Sequence, residues 1–210
     1  MIIAIDGPSG TGKSTVAKII AQKLHISFLN SGSFYRGIAF AVNNANIAVE
    51  DEIAILNLAR DIEMNYVNEH IIINEKDVED ALHTHEIDLI ASKISCIIPL
   101  RHIINEKLQI IAKTLDIVCE GRDMTTVVFP NADYKFYLDA SIDEQAKRRF
   151  EQRANGTSFE EIKRAITERD TIDKNKAEGA LKIAKDSEYI DTTYLTINQV
   201  CDIIVSKISI

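Results

Sequence analysis

Gly7-Pro8-Ser9-Gly10-Thr11-Gly12-Lys13-Ser14 repeats the pattern G-x-x-x-x-G-K-[ST] at every fixed position. Few short motifs constrain a fold so tightly, because the loop works only between a buried strand and a helix. Both flanks are present. Ile2-Ile3-Ala4-Ile5 is a short apolar run that stops at Asp6-Gly7-Pro8, which reads as a buried strand followed by a breaker. Beyond Lys13, Val16, Ala17, Ile19, Ile20 and Leu24 recur at helical spacing. Glycines permit the torsions that turn successive N–H groups inward, toward phosphate oxygens. The helix opening at the loop adds its positive dipole end and its free N–H groups. Gly7 to Thr15, with Pro8, Ser9, Gly10, Thr11, Gly12, Lys13 and Ser14 between, is therefore expected to hold a nucleoside triphosphate. Lys13 should reach the β- and γ-phosphates, and the Ser14 hydroxyl should ligate Mg²⁺.

Further short apolar runs occur at Ile26 to Leu29, Leu115 to Cys119, Tyr134 to Leu138 and near Tyr189-Ile190. Helical stretches separate most of them, which predicts an α/β fold with a five-stranded parallel sheet flanked by helices. Ser141 with Glu144, Ser158 with Glu161, and Thr196 with Gln199 have capping-box spacing and mark three helix starts. The middle of the chain breaks the pattern. Ile62 to Val67 and His70 to Ile73, joined across Asn68-Glu69, read as a hairpin, and helical patterns follow over about Val78 to Ile94 and Leu100 to Lys113. An antiparallel subdomain inserted at 31–113 is the expectation.

The net charge is −8, which argues against sequence-independent nucleic-acid binding, since that needs an excess of cations facing phosphate. Any positive field must be local. Five of the nine arginines fall between 148 and 169. Arg148, Arg149 and Arg153 precede a polar turn, Ala154-Asn155-Gly156-Thr157, and Glu168-Arg169-Asp170 through Lys176 follows it. Helix, glycine turn and helix with cations on both arms predict a lid over the triphosphate at 148–178. That leaves 1–30, 114–147 and 179–210 as the core. Asn30 to Arg36 and Glu120 to Met124 each follow a buried strand, where open α/β sheets present ligands. Three cysteines without a CxxC pair make neither a disulfide framework nor a zinc site. No run of ~18 apolar residues occurs. A cytoplasmic protein, monomeric and without membrane or nucleic-acid partners, is expected.

Asp6-Gly7-Pro8-Ser9-Gly10, Ser31-Gly32 with Tyr35-Arg36, Gly121-Arg122-Asp123-Met124 with Val127-Val128-Phe129-Pro130, and Glu168-Arg169-Asp170 with Asp173 occur in that order. Together they resemble the bacterial cytidylate kinases, from Ile3 to about Val200. The resemblance implies a P-loop nucleoside-monophosphate kinase fold with core, helical lid and an insert for the monophosphate. The implied reaction passes the γ-phosphoryl of MgATP to CMP or dCMP. Ser31, Tyr35, Arg36 and Arg122 would then serve the acceptor, the last three at its α-phosphate. Ser92, Arg101 and Asp123 would read the cytosine edge, and Arg169 and Asp173 the ribose hydroxyls. Lys176 would add a further acceptor-phosphate contact. Lys13, Arg122 and the lid's Arg148, Arg149 and Arg153 would carry the chemistry.

Several positions depart from that family's pattern. Lys176 stands where Arg is usual, giving a point charge in place of a fork. Asn30 and Glu120 stand where Asp is common, Thr125 replaces a Gly, Ala180 replaces a Pro, and Pro99 comes one place late. Other acceptors compatible with the loop are UMP, AMP or a small metabolite such as shikimate. A GTPase-like switch would carry an N-K-x-D motif, and Asn175-Lys176 is instead followed by Ala177-Glu178.

Overall fold

The computed structural model describes residues 1–152 and 157–208. Chain contacts divide it into two compact units, Met1–Phe28 with Leu115–Ile210, and Leu29–Thr114. The first is built on a sheet of β1 (Ile2–Asp6), β6 (Ile117–Gly121), β7 (Tyr134–Asp139) and β8 (Glu188–Asp191) with β2 (Ser27–Asn30), of which Ser27 and Phe28 belong to this unit, in the order β2-β6-β1-β7-β8. β1 is central and pairs in parallel with β6, Asp6 opposite Gly121, and with β7, Asp6 opposite Tyr137. The carboxyl ends of β1 and β6 thus lie side by side. The phosphate-loop pattern leaves the first, and Gly121-Arg122-Asp123 leaves the second.

Strands of a sheet covered on both faces read as apolar runs, and Ile3, Ala4, Ile5, Ile117, Val118 and Cys119 have no exposed surface. On one side α1 (Lys13–Leu24) and α8 (Ile197–Lys207) pack together. Val16, Ile20, Phe136, Leu138, Val200 and Ile204 meet in this core, each side chain contributing about 1.5–3 kcal/mol by burial. α6 (Ile142–Gln152) and α7 (Phe159–Asn175) pack on each other through a separate small cluster, Ala146 with Ile162 and Ile166.

Two of the three expected capping boxes are complete, at Ser158/Glu161 and Thr196/Gln199. At Ser141 the hydroxyl accepts the Glu144 N–H at 3.3 Å.

The second unit contains α2 (Ser31–Asn44), α3 (Glu52–Asp61), α4 (His85–Ile94) and α5 (Ile98–Ala112) around a three-stranded antiparallel sheet. The expected hairpin joins β3 (Met64–Val67) to β4 (His70–Ile73). Its turn residues Asn68 and Glu69 both have positive φ, 52° and 68°, as a two-residue primed turn requires. Asn74-Glu75 repeats that chemistry, φ 46° and 66°. It adds a third strand, β5 (Lys76–Asp77), which the sequence pattern did not reveal. The helical pattern from Val78 is also broken: a short 3₁₀ turn at Glu79–Leu82 ends before Thr84, whose side chain caps α4 by accepting the Ile87 N–H. Pro99 sits in the first turn of α5, where an absent N–H costs nothing. Phe34, Ile38, Ile55, Ile71, Leu82 and Leu100 are fully buried. Among the described residues, no helix is long and apolar enough to cross a membrane.

Candidate active site

The loop between β1 and α1 owes its shape to residues that cannot carry a side chain. A Cβ on Gly7 would stand 2.0 Å from the Leu138 carbonyl oxygen of β7, and Gly12 has φ 92°. Gly12 is also the N-cap of α1 and supplies no side-chain acceptor, and no acidic residue occupies the first turn. The helix dipole and its opening N–H groups are therefore left for an anion.

Lys13 is buried, with Nζ folded back onto the Pro8 carbonyl at 2.5 Å and 3.5 Å from Thr11 Oγ1. Burial, aided by nearby Arg122, pulls its pKa down to about 7, against the opposing pull of Glu120, Asp170 and Asp6. An arriving polyanion favours the charged form. Ser14, exposed at the start of α1, donates its hydroxyl to Glu120 Oε1 at 2.8 Å. Glu120 is the last residue but one of the buried strand β6 and is itself 6% exposed. A hydroxyl and a carboxylate oxygen side by side suit Mg²⁺, which takes oxygen ligands and is commonly held by one or two protein groups plus substrate phosphates. No cluster of three or more His, Cys, Asp or Glu able to hold a metal exists among the described residues.

Asp6, with no exposed surface, binds the turn after β6. It accepts the Met124 N–H at 2.9 Å, the Thr125 N–H at 2.8 Å and the Thr125 hydroxyl at 2.6 Å. Burial raises its carboxyl to about 6 even against those three hydrogen bonds. The turn is a single π-helical segment, Met124–Val128, preceded by Asp123, whose backbone carbonyl accepts the Val127 and Val128 N–H groups. One acid thereby ties the strand leading into the phosphate loop to the segment carrying Arg122 and Asp123.

Arg122 Nε donates to Asp173 Oδ2 at 2.7 Å, and Lys176 Nζ lies 2.9 Å from Asp173 Oδ1. Burial alone would raise the Asp173 carboxyl, but Arg122 and Lys176 together hold it down at about 2. Arg122 is raised, its burial outweighed by Asp173, Glu120 and Asp170. Three predicted site residues from two distant segments thus converge in one ion-paired group, with Lys13 close by. Asp123 is buried at 4% exposure. Arg169 lies on α7, one residue before buried Asp170.

Arg148 is held differently. Its Nε donates to Glu144, and Nη1 and Nη2 donate to Thr192 Oγ1 and the Thr192 carbonyl at 3.0 and 2.6 Å. A longer contact, 3.4 Å, reaches the Thr11 carbonyl. Its contacts bind α6 to the loop's Thr11 and to the end of β8. Arg149 is half-buried on α6, and Arg153 lies outside the described residues.

In the second unit, Asn30 caps α2 by accepting the Gly32 N–H, and Ser31 is buried. Arg36 Nε donates to Asp88 Oδ1 at 3.0 Å. Arg101 is 3% exposed on α5, with Nη1 on the Ser95 carbonyl at 3.1 Å and its guanidinium 5.8 Å from the Tyr35 ring. The Ser92 carbonyl of α4 accepts the Ser95 hydroxyl at 2.7 Å. Ser92, Tyr35 and Arg101 are so brought into one connected group.

Asp6, Asp88, Glu120 and Asp170 were not assigned functional roles from sequence. Asp6 and Glu120 carry a usable signal, an acid closing an apolar strand run; Asp88 carries none.

The cytidylate kinase family model matches residues 3–210. Two relatives named cytidylate kinase are similar over the whole chain. One, from Borrelia hermsii, is 43% identical, covering 100% of this chain and 99% of its own. The other, from Borreliella burgdorferi, is 39% identical, covering 100% and 97%. A solved shikimate kinase from Bacteroides thetaiotaomicron shares the fold, with TM-score 0.51 and 12% identity over 99% of this chain and 97% of its own. The buried loop lysine, the Asp6-anchored turn and full-length similarity agree, and the chain belongs to the cytidylate kinase family.

Proposed function

We propose that this enzyme transfers the γ-phosphoryl group of MgATP to CMP or dCMP, releasing ADP and forming CDP or dCDP. The observation that carries the reading is the grouping of Lys13, Arg122, Asp173 and Lys176 beyond the carboxyl ends of β1 and β6. The grouping supports binding of a second phosphate beside the lysine of the phosphate loop, which hydrolysis alone would not require.

In the transfer, an oxygen of the acceptor's phosphate forms a bond to the γ-phosphorus as the bond to the bridging β–γ oxygen breaks, and ADP leaves with that electron pair. The acceptor is already an anion, so no strong general base is needed. Catalysis comes from alignment and from neutralising charge on the transferred group. The loop N–H groups and Lys13 hold the β- and γ-phosphates. Ser14 and Glu120 would hold Mg²⁺, which when bound offsets charge on the phosphate oxygens. Arg149 and Arg153 are assigned to the lid. Arg148, tied to Thr192 and Thr11, sets the position of α6.

For the acceptor, the family resemblance assigns Ser31 together with Tyr35, Arg36, Arg122 and Lys176, the last four to its phosphate. Asp173, whose two oxygens face Arg122 and Lys176, is assigned with Arg169 to the ribose hydroxyls, which a carboxylate can accept from. Asp123, Ser92 and Arg101 are assigned to the base. A carboxylate accepts from the exocyclic amine of cytosine and repels the carbonyl that uracil presents instead. The test is steady-state ADP formation with CMP, dCMP, UMP and AMP. CMP and dCMP should be turned over well, UMP weakly and AMP least; a preference for AMP would overturn the assignment of Asp123.

A further inference from the structure

The Glu168-Arg169-Asp170 segment contains one buried acid that the reaction above does not use. Asp170 lies on α7, 7% exposed, and its Oδ1 accepts the backbone N–H of Ser9, the third residue of the phosphate loop, at 3.0 Å. Burial raises its carboxyl somewhat, opposed by the Ser9 hydrogen bond and by the nearby charges of Arg122 and Lys13.

A buried acid on a loop N–H can act in two opposite ways. It could be an internal anion that competes with phosphate and has to be expelled. Alternatively, it could be a strut that sets the loop's shape. The surroundings favour the strut. The loop has positive φ at Gly7, Gly10 and Gly12, a conformation with high entropy to lose. Its far half is anchored by α1, and Thr11 is fixed by its hydroxyl on the Pro8 carbonyl and by Arg148 and Thr192 on its own carbonyl. Ser9 is the point between Gly7 and Gly10, and Asp170 holds its N–H from outside the loop. Asp170 is itself fixed, three residues before Asp173, whose two oxygens bind Arg122 and Lys176.

We propose that Asp170 is a positioning residue: through the Ser9 N–H it sets the first turn of the loop on α7 and so preorganises the triphosphate site. The proposal rests on the triphosphate reading of that loop. It assigns Asp170 no contact with substrate.

The test is calorimetric binding of MgATP, without acceptor, to wild type, Asp170→Asn and Asp170→Ala, with thermal melts of each. Asparagine keeps an oxygen for the Ser9 N–H and loses the charge; alanine loses both. Alanine should weaken MgATP at least tenfold while asparagine stays within threefold of wild type. Rescue by the amide is the result a loss of charge balance would not give. Tighter binding by either variant would overturn the strut and make Asp170 a competing anion. Equal tenfold losses in both would overturn it too. Should the alanine protein fail to fold, the asparagine comparison decides alone, since a tenfold change in either direction rejects the proposal. Wild type that fails to bind MgATP would instead sink the triphosphate reading, and wild type that binds MgATP without turning over CMP would sink only the acceptor.

Discussion

Arg122 Nε and Asp173 Oδ2 meet at 2.7 Å, joining the turn after β6 to α7 across 51 residues of chain. The pair holds the guanidinium oriented, and under the proposed function the rest of its fork binds a phosphate. Arg122→Ala should lower kcat/KM for CMP at least ~100-fold, equivalent to roughly 2.7 kcal/mol. Arg122→Lys keeps a charge without the fork and should fall between. Coupled ADP assays decide this; near-normal turnover by the alanine protein would remove Arg122 from the site.

Glu120 accepts the Ser14 hydroxyl at 2.8 Å, and its charge is the part that matters if the pair holds Mg²⁺. Glu120→Gln keeps an acceptor for Ser14 and loses the charge. The Mg²⁺ concentration giving half-maximal rate should rise by about tenfold, the usual loss when a ligand or its support is removed. Turnover at saturating Mg²⁺ should recover. An unchanged Mg²⁺ titration would mean that the hydrogen bond only positions α1.

What could be read from the sequence was what neighbours in the chain decide. Gly7 to Ser14, the apolar runs around Ile3 and Val118, and the turn at Asn68-Glu69 announce themselves because their physics is local. Lys76-Asp77 did not, since a two-residue strand has no alternation to detect. Asp6 with Thr125, Ser9 with Asp170, and Arg122 with Asp173 are separated by 119, 161 and 51 residues. No spacing rule joins such pairs; packing of the sheet and helices does. The family resemblance singled out Arg122 and Asp173, which the structure pairs, because their motifs are specific, and it noted Thr125 and Glu120 only as departures. The structure shows what those two residues do.

Thr125 is 1% exposed and gives Asp6 a third hydrogen bond at 2.6 Å. Thr125→Val keeps shape and backbone N–H but leaves the buried carboxylate short of one donor. The expected loss is ~1–3 kcal/mol, or a drop in Tm of roughly 2–12 °C for a chain of this size. Thr125→Ser, which restores the hydroxyl, should recover most of it. Scanning calorimetry of the three proteins measures this directly. A valine variant as stable as wild type would show that the two backbone N–H groups suffice for Asp6.

Asp173 links stability to acid. Its folded pKa is about 2, below the ordinary 3.8, because Arg122 and Lys176 hold the charged form despite burial. A depressed folded pKa means that the unfolded chain takes up the proton first as pH falls. The stabilisation is therefore complete above about pH 4 and is lost between about 4 and 2, amounting to roughly 2 kcal/mol. Asp6, raised to about 6, titrates with the opposite sign, but it is present in wild type and in Asp173→Asn alike and cancels from their difference. The gap in unfolding free energy between the two proteins should stay level from pH 7 to 5 and shrink below 4. Urea melts across that range test it. A gap that persists to pH 2 would mean that Asp173 acts there through shape and neutral hydrogen bonds, leaving Arg122 held without help from charge.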